Sequence, residues 1–249
     1  MENSAGHALL KVSGVTKKFA GLVALSNVDL QVKDREILGL IGPNGSGKTT
    51  LFNVISGALR PTNGRINFNG HEIAGLPSYK VCKLGLARTF QVPQPFQDMS
   101  VIENIRVAHL FGRSKGSSKN TRLGDPEEVC KLVGLDSKSN MSAKSLSVSD
   151  KKRLEVGRAL ATSPSLLLFD EFAAGLTANE SKWATDFVRT LRDDYGLTII
   201  WTEHVMRILM RAVDRVLVLN HGVKIAEGTP KEIVKSEQVL SVYLGRNTA

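Results

Sequence analysis

Apolar residues fall along this chain in short runs separated by polar, glycine-containing stretches. Ile37-Leu38-Gly39-Leu40-Ile41, Ser165-Leu166-Leu167-Leu168-Phe169 and Leu197-Thr198-Ile199-Ile200-Trp201 carry almost no polar alternation. That is the pattern of strands buried on both faces of a parallel sheet. Residues near 8–40 instead alternate apolar and polar, and Gly64-Arg65-Ile66-Asn67-Phe68-Asn69-Gly70 reads as a strand running into an Asn-Gly turn. Those segments predict an antiparallel sheet beside the buried one. Val216-Leu217-Val218-Leu219 and Val223-Lys224-Ile225-Ala226 flank Asn220-His221-Gly222 as a hairpin. Between Val92 and Asp150 the pattern turns helical: Pro93 and Pro95 mark the entry, and Val101-Ile102-Glu103-Asn104-Ile105 starts a helix after Ser100. Gly112-Arg113-Ser114-Lys115-Gly116-Ser117-Ser118-Lys119-Asn120 has little to bury and reads as a mobile loop. Thr229-Pro230-Lys231-Glu232 places a cap, a proline and a glutamate where a last helix, over about 229–249, would open. The whole is an α/β pattern.

At 249 residues and 42% hydrophobic, the chain can bury a substantial core, and one domain with subdomains is the natural division. No run approaches the roughly 20 apolar residues that cross a bilayer. The N-terminus, with Glu2 early, does not read as a secretory signal. A membrane role must then be peripheral, through a separate membrane-spanning partner. Cys82 and Cys130 suggest neither a disulfide framework nor a metal site, which fits a reduced cytoplasm. The net charge of +9 suits an anionic inner leaflet. The positives are spread in short groups such as Lys17-Lys18 and Lys151-Lys152-Arg153, so no nucleic-acid partner is expected.

The densest chemistry follows the first buried run. Gly42-Pro43-Asn44-Gly45-Ser46-Gly47-Lys48-Thr49-Thr50 joins a strand to the helix-forming Leu51-Phe52-Asn53-Val54-Ile55. Glycines let successive backbone N–H groups turn inward, and the helix N-terminus faces the same anion with about half a positive charge. Lys48 would reach the β- and γ-phosphates of ATP, and the Thr49 hydroxyl would ligate Mg²⁺. The second buried run ends in Asp170-Glu171, at the strand end where open α/β sheets bind ligands. Asp170 would hold Mg²⁺ through water, and Glu171 would act as general base on the attacking water.

With these motifs the chain resembles the ATP-binding subunits of ABC transporters over nearly its whole length. The resemblance implies a P-loop NTPase core of mainly parallel sheet with helices on both faces, an antiparallel β subdomain and a helical subdomain. Core and β subdomain would occupy about 8–91 and 157–228, and the helical subdomain, facing the membrane partner, about 92–156. It also implies roles that a bare sequence does not give. Phe19 would stack on adenine; Gln91 would sense Mg²⁺ and the attacking water and touch the membrane partner; Ala174-Gly175-Leu176-Thr177 would cross a dimer interface; His204 would contact the γ-phosphate. Read alone, these are a core aromatic, a solvated amide, a capping box of Thr177 with Glu180, and a hydrogen-bonded histidine. Gly85-Leu86-Ala87-Arg88-Thr89-Phe90-Gln91, Val101-Ile102-Glu103-Asn104-Ile105 and Val239-Leu240-Ser241-Val242-Tyr243-Leu244-Gly245 look most like the ATPases of branched-chain and other hydrophobic amino-acid uptake systems.

One motif departs from the family. Where Leu-Ser-Gly-Gly-Gln precedes a basic helix in such proteins, this chain has Leu146-Ser147-Val148-Ser149-Asp150. Ser147 leaves one hydroxyl to donate to a γ-phosphate. Val148 and Ser149 replace glycines, and Asp150 puts a negative charge at a helix N-terminus, favourable to the helix and unfavourable to a bound phosphate. Family geometry packs two such subunits head to tail, with each ATP between one phosphate loop and the other's signature. The expectation is a heterodimer with unequal sites, a homodimer being the alternative, docked on permease subunits at the cytoplasmic face of the inner membrane. Two other readings compete: a soluble ABC-type ATPase acting on nucleic acid or in complex assembly, and a regulatory subunit that binds ATP with little turnover.

Overall fold

The computed structural model describes residues 8–112, 123, 125–172, 178–203 and 206–244. In chain order the elements are β1 (Ala8–Phe19), β2 (Leu22–Lys33), β3 (Ile37–Ile41), α1 (Lys48–Ile55), β4 (Asn63–Phe68), β5 (His71–Glu72), α2 (Ser78–Lys83), β6 (Leu86–Arg88), α3 (Val101–Phe111) and α4 (Pro126–Leu132). They continue with α5 (Val148–Ala161), β7 (Leu166–Asp170), α6 (Ala178–Asp193), β8 (Thr198–Thr202), α7 (Met206–Ala212), β9 (Arg215–Asn220), β10 (Val223–Gly228), α8 (Pro230–Ile233) and α9 (Glu237–Leu244).

A six-stranded sheet has the order β10-β9-β3-β8-β7-β6, with only β10 antiparallel to its neighbour. Every residue of β3, β7 and β8 is buried, and the period of two divides them between two cores. Ile37, Ile41, Leu167, Phe169, Ile199 and Trp201 pack on one side with residues of α3 to α7. Leu38, Leu40, Leu166, Leu168 and Ile200 pack on the other with Leu51, Phe52, Val54 and Ile55 of α1 and the inner face of the antiparallel sheet β2-β1-β4-β5. The unbroken apolar runs are thus apolar because both faces are covered, by helices on both sides.

Local signals set several boundaries. Ser100 and Glu103 exchange both bonds of a capping box at α3, and Thr229 with Glu232 do the same at α8. Asn69 and Gly70 both take positive φ in the turn after β4, as Asn-Gly requires. The C-terminal stretch differs from the single helix predicted over about 229–249. It forms two helices, α8 and α9, because the chain restarts at Ser236, whose hydroxyl accepts from the Val239 N–H and whose carbonyl accepts from Leu240. Most of the predicted loop at 112–120 lies outside the described residues.

Candidate functional site

Parallel register gathers the site at one edge of the large sheet. Arg88 pairs with Leu168 and Asp170 with Thr202, so β6, β7 and β8 end side by side. The loop after β3, which pairs with β8 and β9, opens at the same edge. A cavity of about 390 Å³ there is lined by Phe19, Asn44, Gly45, Ser46, Lys48, Thr49, Thr50 and Glu171, with Leu22, Val23 and His221 at its sides.

The loop has its shape because three glycines turn where other residues are strained. Gly42, Gly45 and Gly47 have φ of 154°, 76° and 105°. A Cβ on Gly42 would lie 2.1 Å from the Leu219 carbonyl oxygen, whereas one on Gly45 would meet nothing within 4 Å. Gly42 is therefore demanded by packing, and Gly45 leaves its open side toward the cavity. The hairpin turn after β9 braces the loop, with Gly222 N–H donating to the Ser46 carbonyl at 2.9 Å. Lys48 is buried and its Nζ donates to the Gly42 and Pro43 carbonyls at 2.7 and 3.1 Å. Desolvation lowers its pKa, against the opposing pull of Glu171 and Asp170. α1 has no side-chain cap at Gly47, so its first amides remain for an anion.

Asp170 is buried and held on both oxygens: Arg88 donates to Oδ2 at 2.6 Å and Thr202 Oγ1 to Oδ1 at 3.1 Å. Glu171, at φ 51°, receives Gln91 Nε2 on Oε2 at 2.5 Å. Its backbone N–H donates to Thr202 O at 3.1 Å. Phe19 is 42% exposed at the end of β1, with the Lys17 ammonium 4.8 Å from its ring centroid. It offers a flat apolar face at the mouth of the cavity.

The donor set fits a nucleotide with its metal. The uncapped amides, Lys48 and the open side of Gly45 suit phosphate oxygens. The Thr49 hydroxyl and the Asp170 carboxylate are hard oxygen donors of the kind Mg²⁺ takes alongside substrate phosphates. No group of three or more His, Cys, Asp or Glu among the described residues could hold a metal alone.

The predicted signature residues Ser147, Val148, Ser149 and Asp150 do not line this cavity; they open α5. The Ser147 hydroxyl donates to Asp150 Oδ2 at 2.7 Å and accepts from Asp150 N–H at 3.1 Å. Lys138 reaches the same Asp150 oxygen at 2.6 Å, and Ser149 donates to Glu180 at 2.9 Å. Despite its partial burial, these contacts hold the Asp150 carboxyl below the usual range. Val148 stands 74% exposed at the helix start. α1 thus opens with no side-chain cap, whereas α5 opens with the Ser147 hydroxyl on the Asp150 N–H and an acid in its first turn.

His204 and Ala174-Gly175-Leu176-Thr177 lie outside the described residues. Arg88, Asn53, Thr202 and His221 were missed as site residues by sequence reading. For Arg88 the available signal was a lone basic residue ending the apolar Leu86-Ala87 strand just before Thr89-Phe90-Gln91.

Residues 25–174 match the family described as ABC transporter, and residues 223–248 that described as branched-chain amino acid ATP-binding cassette transporter. The high-affinity branched-chain amino acid transport ATP-binding protein LivG of Salmonella typhimurium is 37% identical over 249 residues, covering 95% of this chain and 98% of its own length. LivG of Escherichia coli is 38% identical with the same coverage, and BraF of Pseudomonas aeruginosa 37% identical over 253 residues, again at 95% and 98%. Among solved structures, the ADP conformation of MJ1267, an ATP-binding cassette of an ABC transporter, superposes with a TM-score of 0.84 at 29% identity, covering 96% of this chain and 100% of that one. Kinship over nearly the full length, on a fold shared with solved cassettes, makes this chain a member of the ABC transporter ATP-binding family.

Proposed function

We propose that this chain is the ATP-hydrolysing subunit of an importer for branched-chain or other hydrophobic amino acids, and that it works as half of a head-to-tail dimer with unequal sites. The amino-acid class is supported by the similarity to LivG and BraF and by the match of residues 223–248. The reading of unequal sites is supported by a single observation: the signature helix α5 opens with the Ser147 hydroxyl on the Asp150 N–H and an Asp150 carboxylate at the helix start, held by Ser147 and Lys138.

In this reading Gly42, Pro43, Asn44, Gly45, Ser46, Gly47 and Thr50 wrap the phosphates, Lys48 pairs with the β- and γ-phosphates, and Phe19 stacks on adenine. Thr49, Asp170 and Gln91 hold Mg²⁺, which when bound neutralises charge developing on the transferred phosphoryl oxygens. Glu171 takes the proton of the attacking water on a carboxylate oxygen. Gln91 donates to Oε2 of that carboxylate, which orients Glu171 and leaves it further lone pairs for the proton. His204 completes the γ-phosphate contacts. A partner's signature closes this site, and this chain's own signature contributes little to the partner's. No helix among the described residues is long and apolar enough to cross a membrane. Attachment at the cytoplasmic face of the inner membrane then comes through permease subunits, which the helical region 92–156 faces.

The test is ATP-driven accumulation of leucine, isoleucine or valine by vesicles carrying this chain, its permeases and a second ATPase. Uptake that disappears with Lys48→Ala supports the assignment. ATP hydrolysis without uptake of any hydrophobic amino acid would contradict it.

A further inference from the structure

Arg88 ends β6 with its side chain against Asp170. Its side chain is only 6% exposed, and a buried ion pair adds little net stability because desolvation offsets its attraction. Its Nε has no hydrogen-bond partner in the structure. Its two remaining nitrogens are nevertheless both committed: one donates to Asp170 Oδ2 at 2.6 Å and the other to Asn53 Oδ1 at 2.5 Å. Asn53 stands one helical turn beyond Thr49 on α1. The guanidinium lies over the rings of Phe52 and Phe90, with centroids at 5.6 and 5.2 Å, and Phe90 directly precedes Gln91.

We infer that Arg88 is a positioning residue for the metal carboxylate, fastening Asp170 to the helix that carries Lys48 and Thr49. The inference rests on the reading of Asp170 and Thr49 as the Mg²⁺ site. An ionised carboxylate has about four lone-pair directions. Arg88 takes one on Oδ2 and Thr202 one on Oδ1, so the carboxylate is fixed in rotation with acceptor capacity left on each oxygen for the water shell of a cation. The fork matters because its two partners, on different elements, are served by separate nitrogens held in one rigid plane, whereas an ammonium would have to reach both from a single atom. The bridge also holds a fixed distance between the two halves of the metal site, one on α1 and one at the end of β7. Phe90, directly before Gln91, packs on the same guanidinium that orients Asp170.

The experiment is Mg²⁺ titration of fluorescent ATP-analogue binding to the full chain, against a baseline in EDTA. Arg88→Gln is expected to leave the EDTA affinity within about twofold and to raise the half-saturating Mg²⁺ by about 10- to 100-fold, the usual cost of losing an outer-shell partner. Arg88→Lys falls between, and Asp170→Asn serves as the reference. A residue that only supported the fold would move both affinities together. An Arg88→Gln titration that superimposes on the unaltered protein while Asp170→Asn is shifted overturns this inference alone. No shift with Asp170→Asn overturns the metal reading beneath it. Should Arg88→Gln not fold, the Arg88→Lys titration decides: a shift supports the inference and superposition overturns it.

Discussion

Two glycines in one loop separate stability from binding. Gly42→Ala places a carbon 2.1 Å from the Leu219 carbonyl oxygen, a backbone clash that no repacking of a side-chain tip can relieve, and 2.5 Å from Ser46 Oγ. Overpacking and backbone strain together cost about 2–6 kcal/mol. Gly45→Ala meets nothing within 4 Å, so its stability cost is that of an L-residue at φ 76°, about 1–2 kcal/mol. At about 2–4 °C per kcal/mol for a chain of this size, Gly45→Ala lowers the melting temperature by roughly 2–8 °C and Gly42→Ala by roughly 4–24 °C. Binding should rank the other way per degree lost. The Gly45 methyl enters the space lined by Lys48 and Thr49 and removes ATP affinity from a chain that is still folded. Thermal unfolding and ATP-analogue titration on the same samples give both numbers. A Gly45→Ala protein that binds ATP normally, or a Gly42→Ala protein as stable as the parent, would refute the reasoning.

Three further outcomes follow from the same geometry. Phe19→Ala should weaken ATP binding by about 1–3 kcal/mol through lost stacking while leaving pyrophosphate binding unchanged, measured by calorimetry. Asp150→Gln removes the acid that engages Ser147 and Lys138 and costs α5 about 0.3–1 kcal/mol of helix-end stabilisation; in the assembled complex it should raise turnover at the site that uses this signature, read by single-turnover hydrolysis with the other site disabled. Burial pushes the Cys130 thiol up to about 11 and raises that of Cys82. At pH 8 the Cys130 thiolate is then about one part in a thousand, so Cys130 should resist iodoacetamide in the native protein while denatured protein takes two labels by mass spectrometry.

What the sequence made legible was what local rules decide. Unbroken apolar runs marked β3, β7 and β8, alternation marked the antiparallel strands, and glycine spacing marked the phosphate loop, because burial on two faces, pleat and backbone freedom leave local traces. The break between α8 and α9 left a weaker one, since Val234-Lys235-Ser236 is neither proline nor glycine. Arg88 and Thr202 were invisible as carboxylate partners, because register between β6, β7 and β8 brings them to Asp170 from distant positions. The charge at Asp150 was readable, but not that Lys138 and Ser147 already satisfy it; that depends on a turn over Asp136–Lys138 packing against the start of α5.

The most direct test compares two glutamate-to-glutamine changes in the assembled transporter: Glu171→Gln in this chain, and the change at the corresponding glutamate of the second ATPase subunit. A positioned general base contributes about 10²- to 10⁴-fold. The account predicts that Glu171→Gln removes nearly all ATP turnover while the partner's change removes little. Equal losses from the two, or a larger loss from the partner's change, would contradict it.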